Sequence, residues 1–200
     1  MNITMENFKT AKYDVFSIFD DRWGLCTAGT PREYNTMTIG WGTMGTIWGP
    51  PKKGKQIITV FIRESRRTHQ ILQKEDEFTV CFFPEKYRKD LGILGSKSGN
   101  DVPDKFAKTG FHAEKSEFVD APIIRELRMT LECRLVSYDP ETCRLVGEIV
   151  NVSADESVLD KDGKIDPDRL QPITFDPVHH EYRVLGERVG RAFRDGLELR

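Results

Sequence analysis

Two short stretches carry residue types from which a ligand site can be built. Residues 35–41 read NTMTIGW, small hydroxyl, amide and glycine positions interrupted by Met37 and closed by Trp41. Residues 63–72 read RESRRTHQIL, where Arg63, Ser65, Arg66 and Thr68 surround an expected helix start. A helix N-terminus offers unpaired N–H groups and about half a unit of positive charge, so it takes up phosphate readily. Arg66 can add a planar fork, and the hydroxyls of Ser65 and Thr68 further donors. In the first stretch Asn35, Thr36, Thr38 and the backbone supply polar groups, while Met37, Trp41 and the later Trp48 supply flat, polarisable surface. A fused aromatic ring with a polar edge needs both kinds of surface.

A third stretch, GSKSGNDVPDKF at 95–106, sets two glycines and two serines around Lys97 and ends near Lys105. Such a loop can bring backbone close to a ligand, and Lys97 and Lys105 could stabilise negative charge on a reduced ring. Together the three stretches read as a site for flavin mononucleotide (FMN). Each also has a plainer reading. The arginine cluster is equally a capped helix start, its cations solvated or paired with Glu64, Glu75 or Asp76. NTMTIGW can be a structural strand leading into the glycine-rich loop WGTMGTIWGPP, with Met37 in the core, and the third stretch a turn before a helix.

The elements that must position these residues are mostly strands. QIITVFI (56–62) and FTVCFF (78–83) are β-branched and apolar. From Leu127 to Val136, Leu127, Met129, Leu131, Cys133 and Leu135 alternate with Arg128, Thr130, Glu132 and Arg134, the period of a half-buried antiparallel strand. After a turn at Asp139–Pro140–Glu141, RLVGEIVNV (144–152) reads as its hairpin partner, with Gly147 marking a bulge or a close approach. Helices are expected over Ser65–Lys74 with Ser65 as N-cap, over Glu85–Leu94, over Pro103–Thr109, and as a short fourth at Leu185–Phe193. Strands at short spacing with helices inserted irregularly favour a mainly β, antiparallel barrel over a doubly wound sheet.

Composition narrows the function classes. At 200 residues one domain is expected, spanning 1–200. A net charge of −2 with interspersed signs argues against a nucleic-acid protein. No apolar run approaches the ~20 residues of a membrane span, and MNITMENFKT has no leader pattern, so a cytoplasmic protein is expected. Cys26, Cys81, Cys133 and Cys143 form no CxxC pair, so free thiols are expected, those of Cys81 and Cys133 inside buried strands. The acidic turn DKDGKIDPD (160–168) places its glycine and Lys164 wrongly for a calcium loop, and no metal site is expected. His69, His112, His179 and His180 read as solvated rather than catalytic, and GxSxG, HExxH and GxGxxG are absent.

RWGLCTAG, YNTMTIGWGTMGTIWGPP, VFIRESRRTHQIL, EFTVCFF, LGILGSKSGNDVPDKFAKTGF and LVGEIV occur in an order that resembles the flavin reductase-like FMN-binding family, from Asp21 to Val152. The resemblance implies a split β-barrel with Greek-key connections that forms a homodimer, with FMN near the subunit interface. It implies that Asn35, Thr36, Met37, Thr38 and Trp41 line the ring and ribityl chain. Arg63, Ser65, Arg66 and Thr68 would hold the phosphate, and Ser98 and Lys105 would approach the flavin, from the same or the second subunit. Thr142 and Cys143 stand where related proteins tend to carry a histidine, and RESRRT departs from the usual RPxRYT. The expected activity is an oxidoreductase passing electrons from NAD(P)H through FMN to a flavin, ferric or other acceptor. The alternative is an FMN-containing electron carrier reduced by a protein partner. No residue stands out as an acid or base, and the cofactor's hydride chemistry does not require one.

Overall fold

The structure is a computed structural model and describes residues 24–48, 54–191 and 194–195. Strands β1 (Gly24–Thr30), β2 (Glu33–Ile39), β3 (Gly42–Ile47), β4 (Lys55–Phe61) and β5 (Glu77–Phe82) precede a long hairpin of β8 (Met129–Asp139) and β9 (Arg144–Ala154). Two short pairs, β6 (Ala113–Glu114) with β7 (Ile123–Ile124) and β10 (Ile173–Asp176) with β11 (Glu181–Val184), stand apart. Helices α1 (Arg67–Glu75), α2 (Arg88–Ser96) and the single turn α3 (Pro167–Leu170) fill the connections.

Seven strands form one antiparallel sheet in the order β2-β1-β5-β8-β9-β4-β3. Its two edge strands, β2 and β3, are joined by Gly40 and Trp41 alone. Laid flat, six inter-strand spacings would hold the edges about 28 Å apart. Three Cα–Cα steps reach about 11 Å at most. The sheet therefore curls until its edges meet at that corner, leaving β2 and β3 unpaired with each other: a split barrel.

Alternation along β1 and β5 builds two cores from one pair of strands. Cys26, Ala28, Phe78 and Val80 face the barrel interior with Ile58, Val60, Leu131 and Leu145, and Ile71 and Leu72 of α1 close that core. Leu25, Cys81 and Phe83 face outward into a second core with Leu91 and Leu94 of α2, Phe111 and Ile124. Burying both faces explains why β1 carries no polar alternation. It also pushes the Cys26 and Cys81 thiols up to about 12 and about 11, because a thiolate there would be desolvated. Cys133 is raised by the same cause, and all four cysteines are free.

Several expectations are corrected. The stretch after Trp41 is strand β3, not a loop: its glycines and threonines pair with β4 from Gly42↔Val60 to Ile47↔Lys55. The second face of β8 is not solvated throughout, since Thr130 and Glu132 are buried. Glu132 accepts hydrogen bonds from Ser116 Oγ at 2.6 Å and Asn151 Nδ2 at 3.0 Å, and also from Ser153 Oγ, which satisfies the carboxylate under the 111–127 segment. Pro103–Thr109 forms only a 3₁₀ turn at Phe106–Lys108, held by bonds such as Lys108 N to Lys105 O at 3.3 Å. The expected Glu85–Leu94 helix begins as a 3₁₀ turn and becomes α-helical at Arg88. No helix forms from Leu185 to Arg191, and residues 192 and 193 of that expected helix lie outside the described residues. In the acidic turn, Asp160 Oδ1 accepts from the Asp162 and Lys164 amides at 2.8 and 2.9 Å, so local backbone donors satisfy it. Among the described residues no cluster of His, Cys, Asp and Glu is arranged to hold a metal.

Gly147 is a close approach and lies beside a register shift at Leu135/Ser137. A Cβ there would sit 2.4 Å from the ring of the fully buried Phe78, whereas one on Gly45 of the edge strand meets nothing within 4 Å. Gly147→Ala is expected to destabilise by about 1–3 kcal/mol through overpacking, and Gly45→Ala to change little. Urea unfolding of both variants checks this; equal midpoints would contradict it.

Candidate functional site

The barrel corner gathers the two opening stretches. β2 ends at Ile39 and β4 at Phe61, and the Phe61 amide donates to the Trp41 carbonyl at 3.2 Å. The chain leaving β4 then makes a tight turn, with Arg66 N donating to Arg63 O at 3.0 Å, before α1 begins at Arg67. Ser65 is not the N-cap. Arg66 holds that position in extended conformation, no side chain caps the helix, and its first turn contains no acidic residue. The turn at 63–66 shifts the start, and the first-turn amides of Arg67, Thr68 and His69 have no helical carbonyl to reach. Such an end is competent for an anion.

Two clefts meet here. The smaller, of about 90 Å³, is walled by Asn35, Met37 and Thr38 of β2, Arg66 to Thr68 of α1, and the Gly95–Gly99 loop with Lys105. Asn35 Nδ2 donates to Thr68 Oγ1 at 2.7 Å, which fixes strand against helix and leaves the threonine hydroxyl proton to point elsewhere. The loop lies flush on β2: a Cβ on Gly99 would be 2.1 Å from Asn35 Oδ1, and one on Gly95 2.7 Å from Thr38 Oγ1. Asn100 seals its far end, donating to the Ser65 carbonyl at 3.1 Å and, through its amide, to Ser98 Oγ at 3.2 Å.

The larger cleft, of about 350 Å³, shares Met37, Thr38 and Arg66 with the smaller one and continues past Trp41, Phe61 and Arg63. Its far wall is Phe175, Pro177 and His180 of the β10–β11 hairpin. Sequence reasoning missed this wall, taking His179 and His180 as solvated. A readable signal was present in DP at 176–177, a turn start between ITF and YRV.

Of the expected site residues, Asn35, Met37, Thr38, Arg66, Thr68, Ser98 and Lys105 meet in the smaller cleft, and Trp41 and Arg63 join in the larger. Thr36 is turned away, fully buried with its Oγ1 2.9 Å from Thr27 Oγ1. Ser65 lines neither cleft and contributes its carbonyl to Asn100. Arg67 pairs with Glu33, while among the described residues neither Arg63 nor Arg66 makes an ion pair.

Lys105 is buried, and its Nζ donates to the carbonyls of Leu94 at 2.8 Å and Lys97 at 2.9 Å, closing the C-terminal end of α2. Burial, then the nearby Arg66 charge, pushes its ammonium down to about 8. An unfolded chain holds that proton up to about 10.4. Between these values the unfolded state binds more protons, so this group's contribution to stability rises with pH from about 8 upward and is lost as pH falls through 8. Wild type should therefore gain stability relative to Lys105→Met across that window in urea titrations. A pH-independent difference would contradict the assignment.

Residues 18–174 match the family model described as the flavin reductase like domain. The chain is similar to the solved flavoredoxin of Desulfovibrio vulgaris (Miyazaki F), at 28% identity and TM-score 0.83, over 94% of this chain and 100% of that one. It is 33% identical over 135 residues to an uncharacterised protein of Archaeoglobus fulgidus, covering 66% of this chain and 71% of the relative. A match to an uncharacterised Aquifex aeolicus protein, 29% identical, covers 48% of this chain and 50% of that protein, so the chain spans about half its length. With its split barrel and two-part cleft, the chain belongs to the flavin reductase like domain family.

Proposed function

We propose that the chain binds FMN in the joined clefts and acts as an oxidoreductase of the flavin reductase type. The observation that carries this is the uncapped N-terminus of α1, which opens with Arg66 onto the narrow end of a cleft whose wide end has aromatic walls. The residues fit the cofactor. The narrow end has the charge and donors for a phosphate, and glycines at 95 and 99 let the loop pack flush against Asn35 and Thr38 at its wall, where a Cβ would clash. Arg66, Thr68 and the first-turn amides would hold the phosphate, with Ser98 flanking. Asn35 and Thr38 would face the ribityl chain, and Met37 and Trp41 the ring. FMN, when bound, supplies hydride acceptance and onward electron transfer. The protein's part is to hold it, to exclude water along β2 and to set positive charge nearby.

NAD(P)H is the donor in this reading, and a flavin, ferric or other acceptor receives the electrons. Similarity to a flavoredoxin favours a second reading, a carrier reduced by a protein partner. A homodimer with the cleft near its interface belongs to both readings. Met44, Ile47 and Trp48 along the β3 edge, with Trp48 85% exposed, offer apolar surface for it.

Arg66→Ala is expected to weaken FMN binding by about 1.5–3 kcal/mol, the loss of a charge-assisted hydrogen bond; calorimetric titration with FMN measures it, and unchanged affinity would refute the phosphate role. Anaerobic mixing of FMN-loaded protein with NADH or NADPH should bleach the flavin absorption with at least one nucleotide. Persistent colour with both would leave the carrier reading standing.

A further inference from the structure

The wide end of the cleft holds more positive and hydrogen-bond-donating chemistry than the narrow end uses. Arg66 lines both compartments, but Arg63 lines only the wide one, as does His180 of the β10–β11 turn. His180 is set there by the hairpin turn. The Asp176 carboxylate is buried and accepts from Val178 N at 2.9 Å, His179 N at 3.3 Å, His179 Nδ1 at 2.9 Å and Arg183 Nε at 2.9 Å. These bonds hold the Asp176 carboxyl well below the usual carboxylate range, so the clamp stays anionic. With His179 bound back to the clamp, the chain turns through a left-handed residue at His180, φ 56°, before β11. A non-glycine residue held at positive φ costs free energy and persists only where the surroundings over-determine it. Here they direct the second histidine, rather than the first, into the cleft.

We propose that Arg63 and His180 form a second recognition pole, which selects a planar reaction partner bearing an anionic group and seats it at the Phe175 side of the wide cleft. This rests on the FMN reading and deepens it: Arg66 and the helix start would serve the cofactor phosphate, Arg63 and His180 the partner that exchanges electrons with the cofactor. A guanidinium and an imidazole lining one cleft suit a carboxylate or phosphate, and the aromatic wall suits a ring.

The test uses benzoate and its neutral isostere benzamide as probes of the FMN-loaded full chain, read by perturbation of the bound flavin's visible spectrum. Wild type is expected to bind benzoate about tenfold more tightly than benzamide, the difference a charge-assisted contact makes. Arg63→Gln and His180→Gln should each erase most of that preference while FMN affinity stays within twofold, and Arg66→Gln should weaken FMN itself. Equal binding of the two probes by wild type overturns the proposal. So does an Arg63→Gln variant that loses FMN as severely as Arg66→Gln, since Arg63 would then belong to the cofactor's phosphate. Failure of wild type to take up FMN brings down the cofactor reading and this one with it, and is seen first, as a colourless protein after loading.

Discussion

The two residues between β2 and β3 are the constraint on which the site depends. Gly40 and Trp41 must connect strands at opposite edges of a seven-stranded sheet, so the sheet cannot lie open. Closing it carries the end of β4, and with it the arginine turn, next to the end of β2. Residues 35–41 and 63–68 are thus neighbours for a topological reason. Gly42 sits at this joint, where a Cβ would come within 2.6 Å of the Thr59 carbonyl, so the start of β3 runs closer to β4 than a side chain on that face allows.

Positive charge then outweighs Glu64, the acid inside the arginine turn, because other acids nearby are committed elsewhere. Glu33 is occupied by Arg67, the first turn of α1 contains no acid, and Asp176 is enclosed by its hairpin. Exposed cations beside solvent are strongly screened, and a single surface pair contributes about 0–1 kcal/mol. A helix start, an unpaired arginine and a buried ammonium converging on one narrow cleft differ in kind, because solvent screens them less and an arriving anion meets donors already oriented. Burial first, and the Arg66 charge second, lower the Lys105 ammonium, so the two cations bear on each other in the cleft.

How much of this was readable in the sequence depends on whether information was local. That Arg66, Thr68, Ser98 and Lys105 share one cleft was readable because helix starts and glycine loops advertise backbone donors through their composition, and Met37 and Thr38 because a polar strand run flanked them. The barrel was legible in its alternating hairpin of β8 and β9. Strand β3 was not, because glycine and threonine at an edge carry no hydrophobic period and take their structure from the β4 ladder. Thr36 stands apart from its neighbours because its hydroxyl is taken up by Thr27, its cross-strand partner on β1, a contact that a run of hydroxyls within one strand does not reveal. His180 was invisible for the opposite reason: its place follows from a clamp at Asp176 and a hairpin that returns to the barrel mouth across the whole fold.

The turn between β8 and β9 supports the arginine segment from behind. Thr142 donates to Asp139 Oδ2 at 2.7 Å and Cys143 takes a left-handed conformation at φ 55°. That conformation lets the Cys143 carbonyl accept from the Ile62 amide at 3.0 Å, one residue before Arg63. Tyr138, whose ring packs tilted at 4.3 Å against the buried His69 of α1, donates to the Ile62 carbonyl at 3.3 Å. The two bonds grip both sides of Ile62, so the turn anchors the arginine segment from behind. The segment's backbone is thereby fixed while, among the described residues, the guanidinium groups of Arg63 and Arg66 make no ion pair, and rigid backbone with uncommitted charge is what preorganised anion recognition requires.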